Sequence, residues 1–292
     1  MRDTIEERLR SRAQEVERAL GSALSSRGDR PALLRLDAAL RHGALGGGKR
    51  LRPFLVIESA AALRSGADPL PAACAIEMVH AYSLIHDDLP AMDDAETRRG
   101  KPSVHAAYDE AIGILAGDAL LTEAFALLSG GAYAPAVAVR LISQLAQGAG
   151  RAGMVGGQMM DLYPEAASEE EIVAIQARKT GALIEASALM GGTLAGGASS
   201  QLAALAAYAR ALGLAFQIQD DVLDATADAA TLGKPAGRDE VAGKATFVGL
   251  YGIEGARVRV RDLTEEAKAA LGRLPDGSVL AALADWLATR ER

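Results

Sequence analysis

Apolar residues recur at helical spacing along almost the whole chain, and no run alternates as a half-buried strand would. Ile5, Leu9, Val16 and Leu20 form one stripe, and Leu33, Leu34, Leu36 and Leu40 form another. Strand formers are scarce: aromatic residues make up only 4% of 292 residues, and alanine and leucine abound instead. Side chains that small let helices pack closely. A hydrophobic fraction of 50% supplies a sizeable core and excludes intrinsic disorder.

The segments can be read one by one. "PFLVIESAAALR" predicts a buried helix opened by Pro53, a residue suited to a first turn. Pro69 and Pro71 open a longer segment, "ACAIEMVHAYSLIHDD". "VHAAYDEAIGILAGDALLTEAFALLSG" predicts one long helix, apolar nearly all round, in the middle of a bundle. "SEEEIVAIQARKTGALIEASALMGG" starts on a serine cap with acids in its first turn. "SSQLAALAAYARALGLAFQIQDDVLD" starts on another serine, and two helices follow, around Gly255–Leu274 and Ser278–Thr289. Glycines punctuate these segments, and none of the breaks is a Pro- or Ser-rich linker. The expectation is a single all-α domain over residues 1–292, a bundle of about ten or more helices.

The formal charge of −7 argues against a nucleic-acid binder, which usually carries a basic footprint. Taken alone, it also argues against an anionic ligand. The one cysteine, Cys74, excludes an internal disulfide framework and a multi-cysteine zinc site. His42, His80, His86 and His105 lack the spacing of a zinc-binding helix. The N-terminus is charged and amphipathic, and no stretch reaches about 18 uncharged apolar residues. A soluble, cytoplasmic protein without a membrane span is expected.

Two carboxylate clusters carry the chemistry. Asp87, Asp88, Asp93 and Asp94 form the first, and Asp220, Asp221 and Asp224 the second. Each follows a long apolar run, unlike a solvated charged face. Asp220 and Asp224 lie one turn apart on one helix face, while Pro90 should distort the helix after Asp88. Carboxylates this close repel one another unless a cation neutralises them. Hard oxygen ligands in open clusters suit Mg²⁺, which takes one or two carboxylates and completes its shell with water and phosphate oxygens. Basic groups flank the same helix ends: Lys49, Arg50 and Arg52 after three glycines, then Arg98, Arg99 and Lys101, then Arg178 and Lys179, then Lys234 and Lys244. Arginine grips phosphate as a fork and lysine as a point charge. The glycine loop lacks P-loop spacing, and no nucleophile elbow or dinucleotide fingerprint is present. The chemistry expected is electrostatic: metal-assisted departure of a diphosphate with no covalent enzyme intermediate.

From about Leu40 onward the chain resembles the trans-isoprenyl diphosphate synthases, of the bacterial farnesyl type. The resemblance rests on "GGGKRLRPFLV", "HAYSLIHDDLPAMDDAETRRGKPSVH", "AGDAL", "GMVGGQMMDL", "RKTGALI" and "GLAFQIQDDVLDATADAATLGKPAGRDEVAGKAT", in that order. It implies helices around a deep central cavity, usually in a homodimer, with two aspartate motifs facing each other and three Mg²⁺ per active site. The metal ligands it implies are Asp87, Asp88 and Asp93, with the two-residue insertion of the farnesyl type, and Asp220, Asp221 and Asp224. Lys49, Arg52, His80 and Arg99 fall on positions that hold isopentenyl diphosphate. Arg98, Lys179, Thr180, Gln217, Lys234 and Lys244 fall on positions that hold the allylic diphosphate, dimethylallyl or geranyl.

The implied product is farnesyl diphosphate. A chain-length rule of the family puts weight on an aromatic residue five before the first motif, which is Tyr82 here. A plain helical wheel puts Ser83 nearer the Asp87 stripe, so both are candidates for the cavity floor. The alternatives are a geranylgeranyl diphosphate synthase or a non-catalytic subunit of a prenyl synthase. Intact aspartate motifs speak against the subunit, and the symmetry of the two motifs speaks against a terpene cyclase. The chain departs from the pattern at Phe247-Val248, where Tyr-Pro is usual, and at Ala95.

Overall fold

The computed structural model describes residues 4–165, 168–226 and 246–290. Lys234 and Lys244 lie outside the described residues. The helices are α1 (Ile5–Ala23), α2 (Pro31–Ala44), α3 (Leu51–Ala62), α4 (Leu70–Asp87), α5 (Val104–Ala107), α6 (Glu110–Ser129), α7 (Pro135–Ala149), α8 (Met154–Leu162), α9 (Glu169–Gln176), α10 (Ala182–Leu194), α11 (Ser199–Thr226), α12 (Phe247–Ala270) and α13 (Ser278–Thr289). The all-α expectation holds. The chain divides into two compact units, Met1–Ile57 with Gly66–Ser143, and Glu58–Ser65 with Gln144–Arg292.

In the first unit α4 packs on α6, α1 and α2. Ala72, Ala73 and Ala75 are buried along with Ile76, Met78 and Val79, so α4 is enclosed nearly all round. The small alanines allow that close approach. Helix α1 contributes Leu9, Val16 and Leu20, and starts on a capping box between Thr4 and Glu7. In the second unit α11 packs against α12 and α10. Tyr208 is fully buried there, and its hydroxyl donates to the Leu280 carbonyl at 2.8 Å.

Three local expectations change. The long segment after Val104 is not one helix: it breaks at Tyr108 (φ −122°, ψ −88°), and Asp109 caps α6 by accepting from the Ile112 amide at 2.8 Å. Asp109 competes for the backbone better as a cap than as a mid-helix residue. A minimal antiparallel hairpin exists, β1 (Thr97–Arg98) against β2 (Lys101–Pro102). The last long helix begins at Phe247, ahead of Gly255, and kinks at Gly252 (φ 67°). Two helices also qualify the membrane reading. By length and composition α6 and α11 are apolar enough to cross a bilayer, with 33% and 56% of their most apolar windows buried in the fold.

Candidate active site

In the first unit, α4 ends where the first carboxylates begin. After Asp88 the chain turns back: the Asp93 amide donates to the Asp87 carbonyl at 2.9 Å, and the Ala95 amide to the Asp88 carbonyl at 3.0 Å. Asp94 takes a left-handed φ of 48° in that turn. Asp93 is thereby tethered to Asp87 through the backbone, with Asp87 partly buried and Asp93 exposed. Asp88 is only 2% exposed. Arg98 grips it, with Nε 3.0 Å from Oδ1 and 3.2 Å from Oδ2 and a further bond from Nη2.

The hairpin then presents the cations. Its two-residue turn, Arg99-Gly100, has φ of 53° and 75°, the double positive φ of a type I′ turn. A left-handed arginine costs about 1–2 kcal/mol, and Arg99 Nη1 offsets this by donating to the Gly47 carbonyl at 2.8 Å. Gly46, Gly47 and Gly48 all have positive φ, so the loop before Lys49 requires glycine on backbone grounds. A depression of about 420 Å³, its open mouth included, is lined here by Gly46, Leu84, Asp88, Arg98, Arg99 and Lys101.

His80 faces this cluster from α4. Arg52 Nη1 lies 3.3 Å from His80 Nε2. A guanidinium only donates, so Nε2 accepts and neutral His80 carries its proton on Nδ1. Burial pushes the His80 pKa well below the ordinary value, and Arg52, Arg99, Arg50 and Arg98 push it further the same way. The unfolded chain therefore binds a proton, below about pH 6.5, that the folded chain does not. Folding stability from this group is present above that pH and is lost as pH falls toward the folded pKa. Between pH 7 and 5 the native protein is expected to lose more stability than His80→Gln, by at most about 1.4 kcal/mol per pH unit. Urea unfolding of both proteins at the two pH values checks this; parallel losses would remove His80 as the cause.

Tyr82 is 7% exposed and sits edge-on to His86, with centroids 5.7 Å apart. The His86 ring reaches α6, where Nε2 lies 3.1 Å from the Ile114 carbonyl. Gly117 makes room for it, since a Cβ there would fall 2.1 Å from Nε2. The Ser83 hydroxyl donates to the His80 carbonyl at 2.9 Å. His105 is likewise bonded to backbone, at the Ala95 carbonyl.

In the second unit, Asp220, Asp221 and Asp224 occupy the last two turns of α11 and are all partly buried. Asp221 Oδ2 accepts from the Phe247 amide at 3.1 Å, so Phe247, where Tyr-Pro is usual, begins α12 against the motif. Arg290 also reaches the motif: its guanidinium donates to Asp220 Oδ1 and covers the Phe216 ring at 4.2 Å. Gln217 is partly buried on the same helix. Lys179 and Thr180 lie in a π-helical turn, Ala177–Gly181, between α9 and α10. Such turns concentrate at functional sites. Lys179 Nζ donates to Asp161 Oδ2 of α8 at 2.6 Å. Gly157 of α8 permits the approach, since a Cβ there would meet the Lys179 backbone nitrogen at 2.1 Å.

Sequence reasoning missed Glu77, Glu17, Asp161 and Arg290, because each partner is distant along the chain. The signal nearest to hand was Asp161, which lies inside the quoted "GMVGGQMMDL". Among the described residues, no three His, Cys, Asp or Glu side chains converge tightly enough to hold a metal ion unaided.

The sequence pattern of the polyprenyl synthetase family matches residues 34–274. Farnesyl diphosphate synthase of Escherichia coli is 47% identical over 265 residues, 87% of this chain and 88% of that one. Geranylgeranyl pyrophosphate synthase 9, chloroplastic, of Arabidopsis thaliana is 44% identical over 88% of this chain and 74% of its own length. The structure of an FPP/GFPP synthase from Zymomonas mobilis superposes with a TM-score of 0.86 at 37% identity, covering 98% of this chain and 99% of that one. With a family pattern that spans both aspartate motifs and relatives this similar over most of the length, the chain belongs to the polyprenyl synthetase family.

Proposed function

We propose that the chain is a Mg²⁺-dependent prenyltransferase. It condenses isopentenyl diphosphate with dimethylallyl and then geranyl diphosphate, and releases (E,E)-farnesyl diphosphate. The observation that carries this reading is the crowding of Arg52, Arg98, Arg99 and His80 beside the first aspartate motif, on α3, α4 and the hairpin. Arg52 Nε is buried without a hydrogen-bond partner among the described residues, as expected of a donor that awaits an anion.

Residues 1–292 are read as one prenyl synthase domain. Lys49, Arg52, His80 and Arg99 hold the diphosphate of isopentenyl diphosphate. Arg98, Lys179, Lys234 and Lys244 hold the allylic diphosphate. Thr180 and Gln217 turn oxygen dipoles toward the positive charge that develops on the allyl group. Asp87, Asp88, Asp93, Asp220, Asp221 and Asp224 are the proposed metal ligands, for three Mg²⁺. The donor set fits: all are hard carboxylates, and Mg²⁺ leaves much of its shell to water and substrate phosphates, so no closed protein cage is required. When bound, Mg²⁺ neutralises the leaving diphosphate.

The side chains do the rest. The cations draw charge onto the diphosphate as the allylic C–O bond breaks. The isopentenyl double bond attacks the allylic cation and a C–C bond forms. A proton then leaves, to the departed diphosphate. Apolar walls keep water from the cation.

A soluble, cytoplasmic homodimer is the proposed form. Ile114 and Leu115 on α6, 47% and 55% exposed, leave part of that apolar helix open to a second copy. Such a contact would account for an α6 that is apolar yet one-third buried in its most apolar window.

A second reading, geranylgeranyl diphosphate synthase, is favoured by the relative of that name. Product analysis with isopentenyl diphosphate, each allylic substrate and Mg²⁺ separates the two. The fifteen-carbon diphosphate is expected; a dominant twenty-carbon product would establish the second reading. Failure to turn over either allylic substrate would instead point to a non-catalytic subunit.

A further inference from the structure

Arg50 lies between two residues of the proposed diphosphate seat, Lys49 and Arg52, yet it turns away from them into the protein. Its side chain is 1% exposed. Its backbone is left-handed at φ 48°, immediately before α3, and its carbonyl accepts from the Phe54 amide at 3.0 Å. Three acceptors share its guanidinium. Nη1 donates to Glu77 of α4; Nη2 donates to Glu17 Oε2 of α1 at 2.5 Å and to the Ala44 carbonyl of α2 at 2.7 Å. Glu17 uses its other oxygen to accept from the Gly46 amide. The glycine loop is thus tied at one end by Glu17 and Arg50, and at Gly47 by Arg99.

Glu77 is 2% exposed, three residues before His80 on α4. A buried carboxylate beside an anion seat is unexpected on charge alone, because it repels the ligand. Its contact shows a different use. An unpaired buried arginine is strongly unfavourable, and a loop with four left-handed residues among five does not hold its own shape.

We propose that Glu77, with Glu17, clamps Arg50 as a positioning residue that fixes the glycine loop and the start of α3, so that Lys49 and Arg52 are presented to a diphosphate. This rests on the reading of Lys49, Arg52, His80 and Arg99 as the isopentenyl diphosphate seat. Lysine at position 50 would keep the charge but could not span three acceptors in the fixed fork of a guanidinium.

The test compares the full-length protein with Glu77→Gln, with the double variant Arg50→Met/Glu77→Met, and with Arg52→Ala. Binding of inorganic pyrophosphate without metal is followed by calorimetry. The KM of each substrate and kcat are measured with geranyl and isopentenyl diphosphates. Glu77→Gln is expected to weaken pyrophosphate binding and raise the KM for isopentenyl diphosphate about tenfold or more. The KM for geranyl diphosphate and kcat should stay within about twofold. The double variant, which leaves no buried charge unpaired, is expected to regain thermal stability and not the KM. Should Glu77→Gln fail to fold, the double variant carries the test alone.

Simple electrostatics predicts the opposite, tighter pyrophosphate binding once the carboxylate is neutralised. Equal or tighter binding by Glu77→Gln, or recovery of KM by the double variant, would overturn the inference. Arg52→Ala tests the seat itself: normal pyrophosphate binding and KM in that variant would remove the reading on which the inference rests, whatever Glu77 does.

Discussion

Asp88→Asn is expected to lower kcat by about 10²- to 10³-fold, because it removes a proposed ligand of the Mg²⁺ that would stabilise the leaving diphosphate, a loss of the size seen when one such stabilising group is removed. The KM for isopentenyl diphosphate should change little. Asparagine keeps the shape of a side chain that is 2% exposed, so the cavity and overpacking costs of a core substitution do not arise. Arg98, one-third exposed at its side chain, can be solvated when its partner goes. Asp88 is buried, so the pair is worth more than a surface pair, but an asparagine oxygen in its place can still accept from Arg98, and the loss should stay at about 1–3 kcal/mol. The thermal midpoint should therefore fall only modestly while turnover collapses, and the Mg²⁺ concentration for half-maximal rate should rise. Full kcat in Asp88→Asn would mean that Asp88 serves only to anchor Arg98. A collapse of the thermal midpoint in parallel with kcat would mean that the pair maintains the hairpin.

The Arg98–Asp88 pair also shows where sequence reading stops. Helix identities were legible because burial follows a period of 3.6, and α4, α11 and α13 appear where that pattern put them. Breaks set by a single side chain were not, since Asp109 reads equally well as a residue within a helix or as its cap. The hairpin escaped notice because two-residue strands have no period to detect; only the positive φ at Arg99 and Gly100 creates it. For the site, the motifs located the carboxylates and cations, and spacing located His80 near the first motif. Pairings between distant segments have no local signature. Arg50 with Glu77, Lys179 with Asp161 and Arg290 with Asp220 each join residues at least 18 positions apart. Net charge is a coarse guide to an anionic ligand for the same reason: it does not show cations gathered around the glycine loop and hairpin, nor that Mg²⁺ on the proposed carboxylate ligands would reverse their sign toward a diphosphate.

Tyr82→Ala is expected to change the product, from the fifteen-carbon diphosphate to longer chains. Tyr82 lies five residues before Asp87, about 7.5 Å along α4 from the proposed metal ligand. Its ring is buried and packed edge-on against His86, which bonds the Ile114 carbonyl, so swinging aside for a growing chain would break that packing. Truncation removes a ring comparable in bulk to one prenyl unit, and a vacated apolar space of that size invites an apolar chain. It also lowers stability by about 3–5 kcal/mol, the usual loss on removing a buried aromatic ring. Product length must therefore be read at a temperature where the variant remains folded. Tyr82→Phe separates bulk from polarity. Burial and the nearby Asp87 charge raise the phenol pKa, so the hydroxyl stays protonated and adds only its size. Phenylalanine should keep the fifteen-carbon product. If alanine keeps it too, Tyr82 is not the floor, and Ser83, which lies closer to the Asp87 stripe, becomes the residue to enlarge, with a bulkier side chain there expected to shorten the product.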